Sequence, residues 1–449
     1  MAASNISSWG GITARQQTIL SPVDHEGLET PRKPYLAIGN CRSYGDTCLP
    51  AEGVAIDART MNRVLEFDVD RGVMRAEAGI LLADILDLVI PHGWFLPVTP
   101  GTRHVTLGGA LANDVHGKNH HGAGTFGRYV RAFELLRSNR VRMVCSPSAN
   151  AGYFAATIGG MGLTGIVTWI EFSLMRAASP HVLQTSTRFA NLEEYFERHM
   201  DADDGHEYGV SWIDSMASGA KFGRGVLMTG DHAAANSGKP LASDSARRLP
   251  KLRVPFRPPV SVISPLMLRA FNFAYYNAPR KPGAELVDYR KYFYPLDGVE
   301  GWNKLYGPRG LRQFQCVVPI AHAHEAVGDM LRLSQKAGHG SFLTVLKKFG
   351  SISSPGMLSF PRRGFTLTLD FPYRGESTDA LLGELDGITL AAGGAVNPYK
   401  DARMSREVFE ASFPGWEQIL PFMDGLAQSM FSRRIGLHES HARFLAQAA

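Results

Sequence analysis

Glycine-rich loops near the N-terminus constrain the fold of this chain more than any other feature of its sequence. Four of them lie within the first 165 residues: IGNCRSYGD (38–46), TPGTRHVTLGGALAN (99–113), DVHGKNHHGAGTFG (114–127) and GGMGLTG (159–165). Glycine lets a backbone approach another group closely, and loops whose amide groups point inward bind anions such as a pyrophosphate. The four loops therefore predict a domain across which one extended, phosphate-bearing cofactor lies.

The order of strands and helices favours an α+β fold. Short β-rich runs (PYLAIG, GVAIDA, RVLEFD and GVMRAEAG) precede a helix at about 80–90, and a second helix, ANAGYFAATIG, leads into a strand at 165–175. These elements lack the regular strand–helix alternation of a doubly wound sheet. After about residue 178 the composition changes, and strand-like runs return from 285 onward with helices between them. A chain of 449 residues is expected to form two or three packed units.

Charge and cysteine content exclude several classes of protein. The net charge of +5 is too small to predict nucleic-acid binding. Four cysteines in so long a chain do not form a disulfide framework, which indicates a reducing compartment. The first residues, MAASNISSWGG, have neither the basic nor the apolar region of a signal peptide, so we expect a cytoplasmic protein.

The segment 114–127 is the most crowded with reactive side chains, and its spacing alone permits several interpretations. G-x-G-x-x-G patterns occur at 122–127 and 160–165, but neither follows a strand and opens a helix, as a dinucleotide fingerprint must. His116, His120 and His121 suggest a metal site, but glycine disfavours the helix that would bring their rings together, so we expect no metal. Taken alone, the segment also fits a polar surface loop.

An ordered series of segments resembles the vanillyl-alcohol-oxidase-like FAD-binding flavoproteins, and within them the oxidases of polyprenylphosphoryl-β-D-ribose. The segments are GNCRSYGD, PGTRHVTLGGALANDVHGKNHHGAGTFG, GGMGLTGIV and FLTVLKKFG, with smaller matches at VSWIDS, KYFYPLDG and YKDARMS. The resemblance implies a two-domain α+β fold. Residues 1–178 would form an FAD-binding domain of the PCMH type. Residues 179–404 would form a substrate-binding or cap domain with an antiparallel sheet, and 405–449 would return to the FAD domain.

The same resemblance implies an activity. It is the FAD-dependent oxidation of the 2′-hydroxyl of polyprenylphosphoryl-β-D-ribose to a 2-keto sugar. That step is the first half of an epimerisation to the arabinose donor for cell-wall arabinan, and a separate short-chain dehydrogenase/reductase would complete it. One alternative is oxidation of a soluble alditol or aldonolactone. The other is a basic adaptor protein without enzymatic activity.

The resemblance also assigns FAD-binding residues to the glycine loops. They are Gly39, Asn40, Cys41, Arg42, Ser43, Tyr44, Gly45, Pro100, Gly101, Thr102, Thr106, Gly108, Gly109, Asn113, His116, Gly117, Asn119, Gly162, Gly165 and Ile166. Many relatives tether the flavin covalently through a histidine in the first loop. No histidine lies in 38–46, so we expect non-covalent FAD.

Two residues are the candidates for catalysis. A neutral imidazole at His116 can accept the hydroxyl proton near pH 7. The ammonium of Lys347, in FLTVLKKFG, can stabilise a reduced flavin or a developing alkoxide, while Lys348 should face the other side of its strand. The predicted substrate-binding residues are Lys118, Tyr294, Gln315, Cys316 and Lys347. For Cys316 the alternative is a small buried apolar residue.

The segment 247–283 combines basic and aromatic residues. Eight of its residues are basic and none is acidic. Such interleaving suits an anionic membrane surface, so we expect peripheral association with the inner face of the plasma membrane. The alternative is a proline-rich connection between strands.

Overall fold

Short apolar runs at the N-terminus form the first sheet. In this computed structural model, which describes residues 3–202, 204–235, 237 and 252–448, the strands of that sheet are β1 (Ala3–Ser7), β2 (Thr13–Leu20), β3 (Tyr35–Ile38) and β4 (Val54–Asp57). Their order is β1-β2-β4-β3, and β4 pairs in parallel with both β2 and β3. All four residues of β4 are buried, as expected for a central strand covered on both faces.

A second, antiparallel sheet completes the N-terminal half. The strands of this region are β5 (Val64–Asp68), β6 (Val73–Glu77), β7 (Trp94–Phe95), β8 (Val130–Leu136), β9 (Arg142–Cys145), β10 (Ile166–Ser173) and β11 (Met175–Arg176). The helices are α1 (Leu82–Val89), α2 (Leu107–Ala112), α3 (His120–Ala123) and α4 (Ala151–Thr157). The sheet order is β5-β6-β10-β8-β9, and β7 pairs separately with β11. Strand β10 alternates buried and half-buried residues, so one of its faces packs on the core.

A large antiparallel sheet, here named the cap sheet, dominates the second half of the chain. The strands of the second half are β12 (His181–Phe189), β13 (Tyr208–Ile213), β14 (Gly225–His232), β15 (Leu252–Arg253), β16 (Ala284–Asp288), β17 (Val299–Glu300), β18 (Leu311–Val318), β19 (Val345–Phe349), β20 (Gly364–Pro372) and β21 (Ala395–Val396). Eight of them form one sheet in the order β16-β12-β14-β13-β19-β20-β18-β21, while β15 and β17 pair in parallel beside it.

Helices cover this sheet and lead back to the N-terminal half. They are α5 (Leu192–Glu194), α6 (Pro265–Asn277), α7 (Tyr289–Phe293), α8 (Ala323–Lys336), α9 (Glu376–Ala391), α10 (Arg406–Ser412), α11 (Met430–Arg434) and α12 (Leu437–Ala448). Helices α8 and α9 bury their apolar faces in a core that they share with β18, β19 and β20. Of the helices in the described ranges, none is long and apolar enough to cross a membrane.

The C-terminal segment packs against the first sheet. The Tyr35 N–H donates to the Leu426 carbonyl at 2.7 Å, and the Gln428 N–H donates to the Tyr35 carbonyl at 2.7 Å. The Arg434 guanidinium pairs with the carboxylate of Asp46 at 2.8 Å, beside the first glycine loop. The fold is therefore α+β with two domains, as the sequence predicts; the boundaries at 178 and 404 stay a prediction.

Most elements predicted from the sequence are present, but two regions differ. The segment 247–283 contains helix α6, which begins where the Ser264 side chain accepts a hydrogen bond from the Met267 N–H and Pro265 occupies the first turn. Of its basic residues, Arg247, Arg248 and Lys251 lie outside the described residues. The run EQILPFMDGLAQSMFSRRIGL (417–437) predicts one helix from its sequence. The structure interrupts it, because a 3₁₀ turn with an internal proline ends at Phe422 and the chain becomes helical again only at α11.

Candidate active site

A cavity of about 810 Å³ lies where the glycine loops meet the cap sheet. Its volume is within the range of about 300–1,000 Å³ that is usual for ligand sites. The predicted residues in its wall are Gly39, Asn40, Cys41, Arg42, Ser43, Tyr44, Pro100, Gly101, Thr102, Thr106, Gly109, Asn113, His116, Gly117, Lys118, Gln315 and Lys347. Residues that lie far apart in the sequence therefore share one wall.

Close backbone packing holds the first two glycine loops together. A Cβ atom at Gly39 would lie 2.2 Å from the hydroxyl oxygen of Thr106, so only glycine fits there. Thr106 is the residue before α2, and its hydroxyl accepts a hydrogen bond from the Gly109 N–H at 3.2 Å. The loop at 38–46 is thus packed against the N-terminus of α2.

A buried carboxylate ties the segment 114–127 to the cap. Asp114 accepts hydrogen bonds from the Ser354 hydroxyl at 2.5 Å, the Ser359 hydroxyl at 2.6 Å and the Gly127 N–H at 2.8 Å. Burial raises the pKa of Asp114, and these hydrogen bonds oppose the shift. Its backbone has a φ of +40°, a strained value for a residue other than glycine, which the three hydrogen bonds help to maintain.

The first loop fits a pyrophosphate-bearing cofactor. The Arg42 guanidinium lies 4.2 Å from the ring centre of Trp9 in the cavity wall. Within the described residues its Nε atom is buried without a hydrogen-bond partner, and burial lowers the pKa of the group. At Gly101 an added Cβ would meet no atom within 4 Å, so the backbone there borders open space. A half-buried guanidinium beside exposed loop backbone is suited to a phosphate anion.

Three side chains from different parts of the chain meet at the cap side of the cavity. The Lys347 Nζ lies 3.3 Å from His116 Nδ1, and the Gln315 Nε2 lies 3.2 Å from His116 Nε2. The Gln315 amide is fixed in orientation because its Oε1 accepts from Asn397 Nδ2 at 2.8 Å and its Nε2 donates to the Thr366 hydroxyl at 3.0 Å. The amide nitrogen of Gln315 is therefore a donor toward His116.

These contacts define the protonation state of the site. His116 Nε2 accepts from Gln315, so the single proton of a neutral imidazole lies on Nδ1 and points to Lys347. Burial, and next the positive charge of Lys347, hold the pKa of His116 well below its usual range. Burial, together with the neighbouring Lys400, lowers the pKa of Lys347 to about 7. An uncharged Lys347 amine can accept the Nδ1 proton of His116 as a hydrogen bond.

Two further lysines line the same cavity. Lys118 donates to the Tyr292 carbonyl and lies 4.1 Å from the ring centre of Tyr292. Lys400 lies 4.6 Å from the ring centre of Tyr44. Burial, and next Lys347, lower the pKa of Lys118 to about 7; burial lowers that of Lys400 to about 8 against the attraction of Asp370.

Anionic groups suit the cavity because its wall has more basic than acidic side chains: Arg42 and four lysines against Asp297 and Glu300. Within the described residues Lys118, Lys347 and Lys400 form no ion pair with a carboxylate. Three buried amines around one cavity repel one another, and a bound anion would relieve that repulsion.

The sequence contains a signal for Lys400. This lysine follows Tyr399 in YKDARMS, a motif of the resemblance to which no site residue was assigned. Other wall residues that the sequence did not suggest are Gln313, Thr368 and Asn397.

The strand alternation predicted for β19 is confirmed. Lys347 lies in the cavity wall, and Lys348 instead pairs with Asp201 at 2.5 Å and Asp204 at 2.8 Å.

The structure corrects the prediction that Cys316 contacts substrate. On β18, Gln315 faces the cavity, so its neighbour Cys316 faces the opposite way. The Cys316 thiol is buried in the cap core and lies 3.7 Å from the Met330 sulfur. Burial raises the pKa of this thiol to about 12. Cys316 is thus a small apolar core residue, the alternative that the sequence left open.

Other predicted residues lie behind the wall. The Tyr294 hydroxyl is hydrogen-bonded to the hydroxyl of the wall residue Thr99 at 2.5 Å. Asn119 donates to the Pro97 carbonyl at 2.7 Å and so supports the loop before Thr99. The remaining predicted residues outside the wall are Gly45, Gly108, Gly162, Gly165 and Ile166. Their assignment to FAD stays a prediction.

The fold and the site together define an FAD-binding oxidoreductase. A family model described as an FAD binding domain matches residues 29–144, which include the first three glycine loops. The decaprenylphosphoryl-β-D-ribose oxidase of Mycolicibacterium smegmatis is 30% identical over 96% of this chain and 97% of its own length. The chain belongs to the family of that oxidase, and FAD is its cofactor.

Two further relatives show how far the similarity extends. A protein of Streptomyces coelicolor, described as an uncharacterized protein in the mprA 5′ region, is 35% identical over 80% of this chain and 100% of its own length. The mouse L-gulonolactone oxidase is 31% identical, but over only 34% of each chain. The similarity to the lactone oxidase is therefore limited to about a third of the chain.

Proposed function

We propose that this oxidoreductase oxidises the 2′-hydroxyl of a polyprenylphosphoryl-β-D-ribose to the 2-keto sugar. The reaction would be the first half of an epimerisation that yields the arabinose donor for cell-wall arabinan. The observation that carries the proposal is the cavity that His116 shares with Lys118, Lys347 and Lys400, which form no ion pair with a carboxylate in the described part of the chain. A substrate with a phosphate beside its sugar would supply the missing negative charge, whereas a neutral alditol or lactone would not.

The glycine loops and Arg42 are the groups proposed to hold the cofactor. FAD, when bound, supplies the acceptor for the hydride that leaves the sugar carbon. The protein has to hold the sugar, exclude water and accept the hydroxyl proton. Holding reacting atoms near contact distance can lower a barrier by about 7–11 kcal/mol.

Lys347 is the proton acceptor that the hydrogen bonds favour. A general base works best when its pKa lies near the working pH, and the pKa of Lys347 is lowered to about 7. His116, with a pKa held well below its usual range, is a much weaker base. We therefore propose that Lys347, and not His116, accepts the hydroxyl proton: its one lone pair, which His116 Nδ1–H engages in the free protein, turns to the substrate hydroxyl.

Gln315 contacts the ring nitrogen of His116 that does not face Lys347. Its fixed amide donates to His116 Nε2 and so keeps the proton of His116 on the nitrogen that faces Lys347. A protonated Lys347 would place two donors against each other at this contact, which adds to the preference for the neutral amine. Lys118 and Lys400 remain available for the phosphate and for the charge that develops on the sugar oxygen.

The proposed product requires a partner enzyme. A 2-keto sugar becomes the epimer only when hydride is added to the opposite face of the carbonyl, and we propose that a short-chain dehydrogenase/reductase performs this second step. That partner would receive the lipid-linked ketone without release of the sugar from its carrier.

Anaerobic flavin bleaching tests the proposal. The FAD-loaded protein should be reduced by a water-soluble prenylphosphoryl ribose with a short chain, and the ketone should appear in the sugar by mass spectrometry. The deoxy sugar that lacks the 2′-hydroxyl should bind without bleaching the flavin. Bleaching by a neutral alditol or aldonolactone, with none by the phosphorylated ribose, would overturn the proposal in favour of the alternative substrate class.

A further inference from the structure

Helix α6 exposes large apolar residues, although it also buries Leu268 in a hydrophobic cluster. Its most buried residue is Asn272, which has no exposed surface, whereas Leu266 is 78% exposed and Phe273 is 61% exposed. A surface helix normally buries its apolar residues and exposes its polar ones. At 3.6 residues per turn, Leu266 and Phe273 fall on one outward stripe, with Arg269 beside them.

The buried side of α6 is firmly attached to the cap. The Asn272 side chain donates to Asp214 at 2.8 Å, and Asp214 forms a buried ion pair with Arg224 at 2.8 Å. At the C-terminal end, Arg188 donates to the carbonyls of Tyr276 at 2.8 Å and Ala278 at 2.7 Å. Leu266 and Phe273 therefore point outward from a helix that these polar contacts and the buried Leu268 hold in place, and not from a loose connection.

Exposed apolar residues are concentrated in this part of the surface. Among the large apolar residues that are exposed in the described chain, those between 252 and 273 are Leu252, Phe256, Val260, Val262, Leu266, Phe271 and Phe273. The stretch 252–283 has five basic residues and no acidic one. Clustered exposed apolar side chains mark an interaction site, and the basic residues indicate that its partner is negatively charged.

The same helix also forms part of the cavity. Tyr275 lies in the cavity wall and packs against the wall residue Trp212, with ring centres 4.6 Å apart. An α-helix with its side chains is about 10 Å across, so the outward stripe and the cavity lie on opposite sides of one helix. A partner bound to the stripe would lie about one helix diameter, roughly 10 Å, from the cavity wall.

We propose that the outward face of α6, with the exposed residues that precede it in 252–264, docks on an anionic lipid bilayer. This inference rests on the proposed function, because a polyprenyl-linked substrate would be presented by that bilayer. Phe273 and Leu266 insert between the lipids, and Arg269 lies at the phosphate level. A second copy of the chain fits less well, because a symmetric contact would bring two basic surfaces together without acidic residues to neutralise them.

Vesicle cosedimentation of the FAD-loaded full chain tests the surface directly. The protein should bind phosphatidylcholine vesicles that contain about a third phosphatidylglycerol, and bind poorly to pure phosphatidylcholine. Raising the salt from about 0.05 M to about 0.5 M should release most of it, because exposed charges are screened. The double variant Leu266→Glu, Phe273→Glu should partition at least about tenfold less.

A matched variant controls for added charge. Leu445 and Val141 are also exposed, at 52% and 44%, but lie away from α6. The double variant Leu445→Glu, Val141→Glu should bind vesicles like the original protein. Equal binding by the two double variants would overturn the proposal. Loss of a dimer on gel filtration, with vesicle binding unchanged, would assign the surface to a second copy.

Substrate assays distinguish a failure of this inference from a failure of the proposed function. The α6 variant should keep the rate of flavin reduction by a water-soluble, short-chain prenylphosphoryl ribose, and lose about tenfold with a long-chain substrate in vesicles. If vesicle binding depends on α6 but no ribose substrate bleaches the flavin, the docking surface stands and the proposed function fails. If ribose substrates react but the α6 variant behaves like the control, the docking surface fails.

Discussion

Replacing Lys347 is the sharpest test of the proton transfer, because its neighbour Lys348 provides a control within the same strand. Lys347→Met keeps the length of the side chain and removes the amine that contacts His116 at 3.3 Å. Lys348→Met removes an amine that pairs with Asp201 and Asp204 on the other side of the sheet. Both variants lose one lysine amine from β19, so a difference between them reports the position of that amine.

The expected size of the effect follows from the role of the base. Loss of a positioned general base usually slows a reaction by about 10²–10⁴-fold, so flavin reduction by Lys347→Met should fall by at least about 100-fold. For the unsubstituted chain, a pKa of about 7 at Lys347 leaves roughly a tenth of the amine neutral at pH 6 and roughly nine tenths at pH 8. The rate should therefore rise about tenfold between these values and level off above them.

Stopped-flow bleaching of the flavin without oxygen measures the step directly. Lys347→Met should retain FAD but lose both the rate and the rise with pH, and Lys348→Met should keep both. His116→Gln should slow the reaction while the rise near pH 7 remains. Equal losses in the two lysine variants would refute the assignment of Lys347, and disappearance of the pH dependence only in His116→Gln would make the histidine the proton acceptor.

Three further predictions concern the cofactor and the fold. Acid precipitation should release all the FAD into the supernatant, because the loop 38–46 has no histidine; flavin retained on the precipitate would contradict this. Asp214→Ala should lower the free energy of unfolding by about 3–5 kcal/mol in urea titrations, because Arg224 is left buried without its partner, whereas Asp329→Ala, in an exposed pair, should cost under about 1 kcal/mol. Burial raises the pKa of Asp370 to about 7, so its contribution to stability is present below its unfolded pKa of about 3.9 and is lost as the pH rises through about 7. Asp370→Asn should therefore raise the Tm at pH 8 and leave it nearly unchanged at pH 4, and a lower Tm at pH 8 would show that the carboxylate is stabilising.

Periodic patterns predicted elements well but could not tell which side of an element faces the site. The run QFQCVV predicts a strand, and alternation requires Gln315 and Cys316 to face opposite sides. The prediction that both residues contact substrate conflicts with this alternation. The packing on the two faces of the sheet decides which of the two side chains faces the cavity. For β19 the same alternation of side chains correctly predicted the opposite orientations of Lys347 and Lys348.

Irregular segments were harder to predict for a different reason. Prolines before Pro265 obscured the start of α6, although Ser264 is a good N-cap and the twelve residues after Pro265 contain neither glycine nor proline. Lys400 follows the short strand β21 in a stretch without periodicity, so only its position in the folded chain shows that it lines the cavity. The position of such residues in the fold is determined by long-range contacts and not by local sequence spacing.

The hydrogen bonds of Asp114 have a consequence for the order in which the protein assembles. Its partners Ser354 and Ser359 are 240 and 245 positions away in the chain, and the Arg434–Asp46 pair joins residues 388 positions apart. Contacts between residues this distant in the sequence form late in folding, because a long loop must close, at a cost in entropy, before the contacts can contribute free energy. A fragment that ends near residue 178 would have every glycine loop but none of these long-range hydrogen bonds and ion pairs. We expect such a fragment to take up FAD weakly, and the full chain to acquire its flavin only after the last helices have been synthesised and have docked.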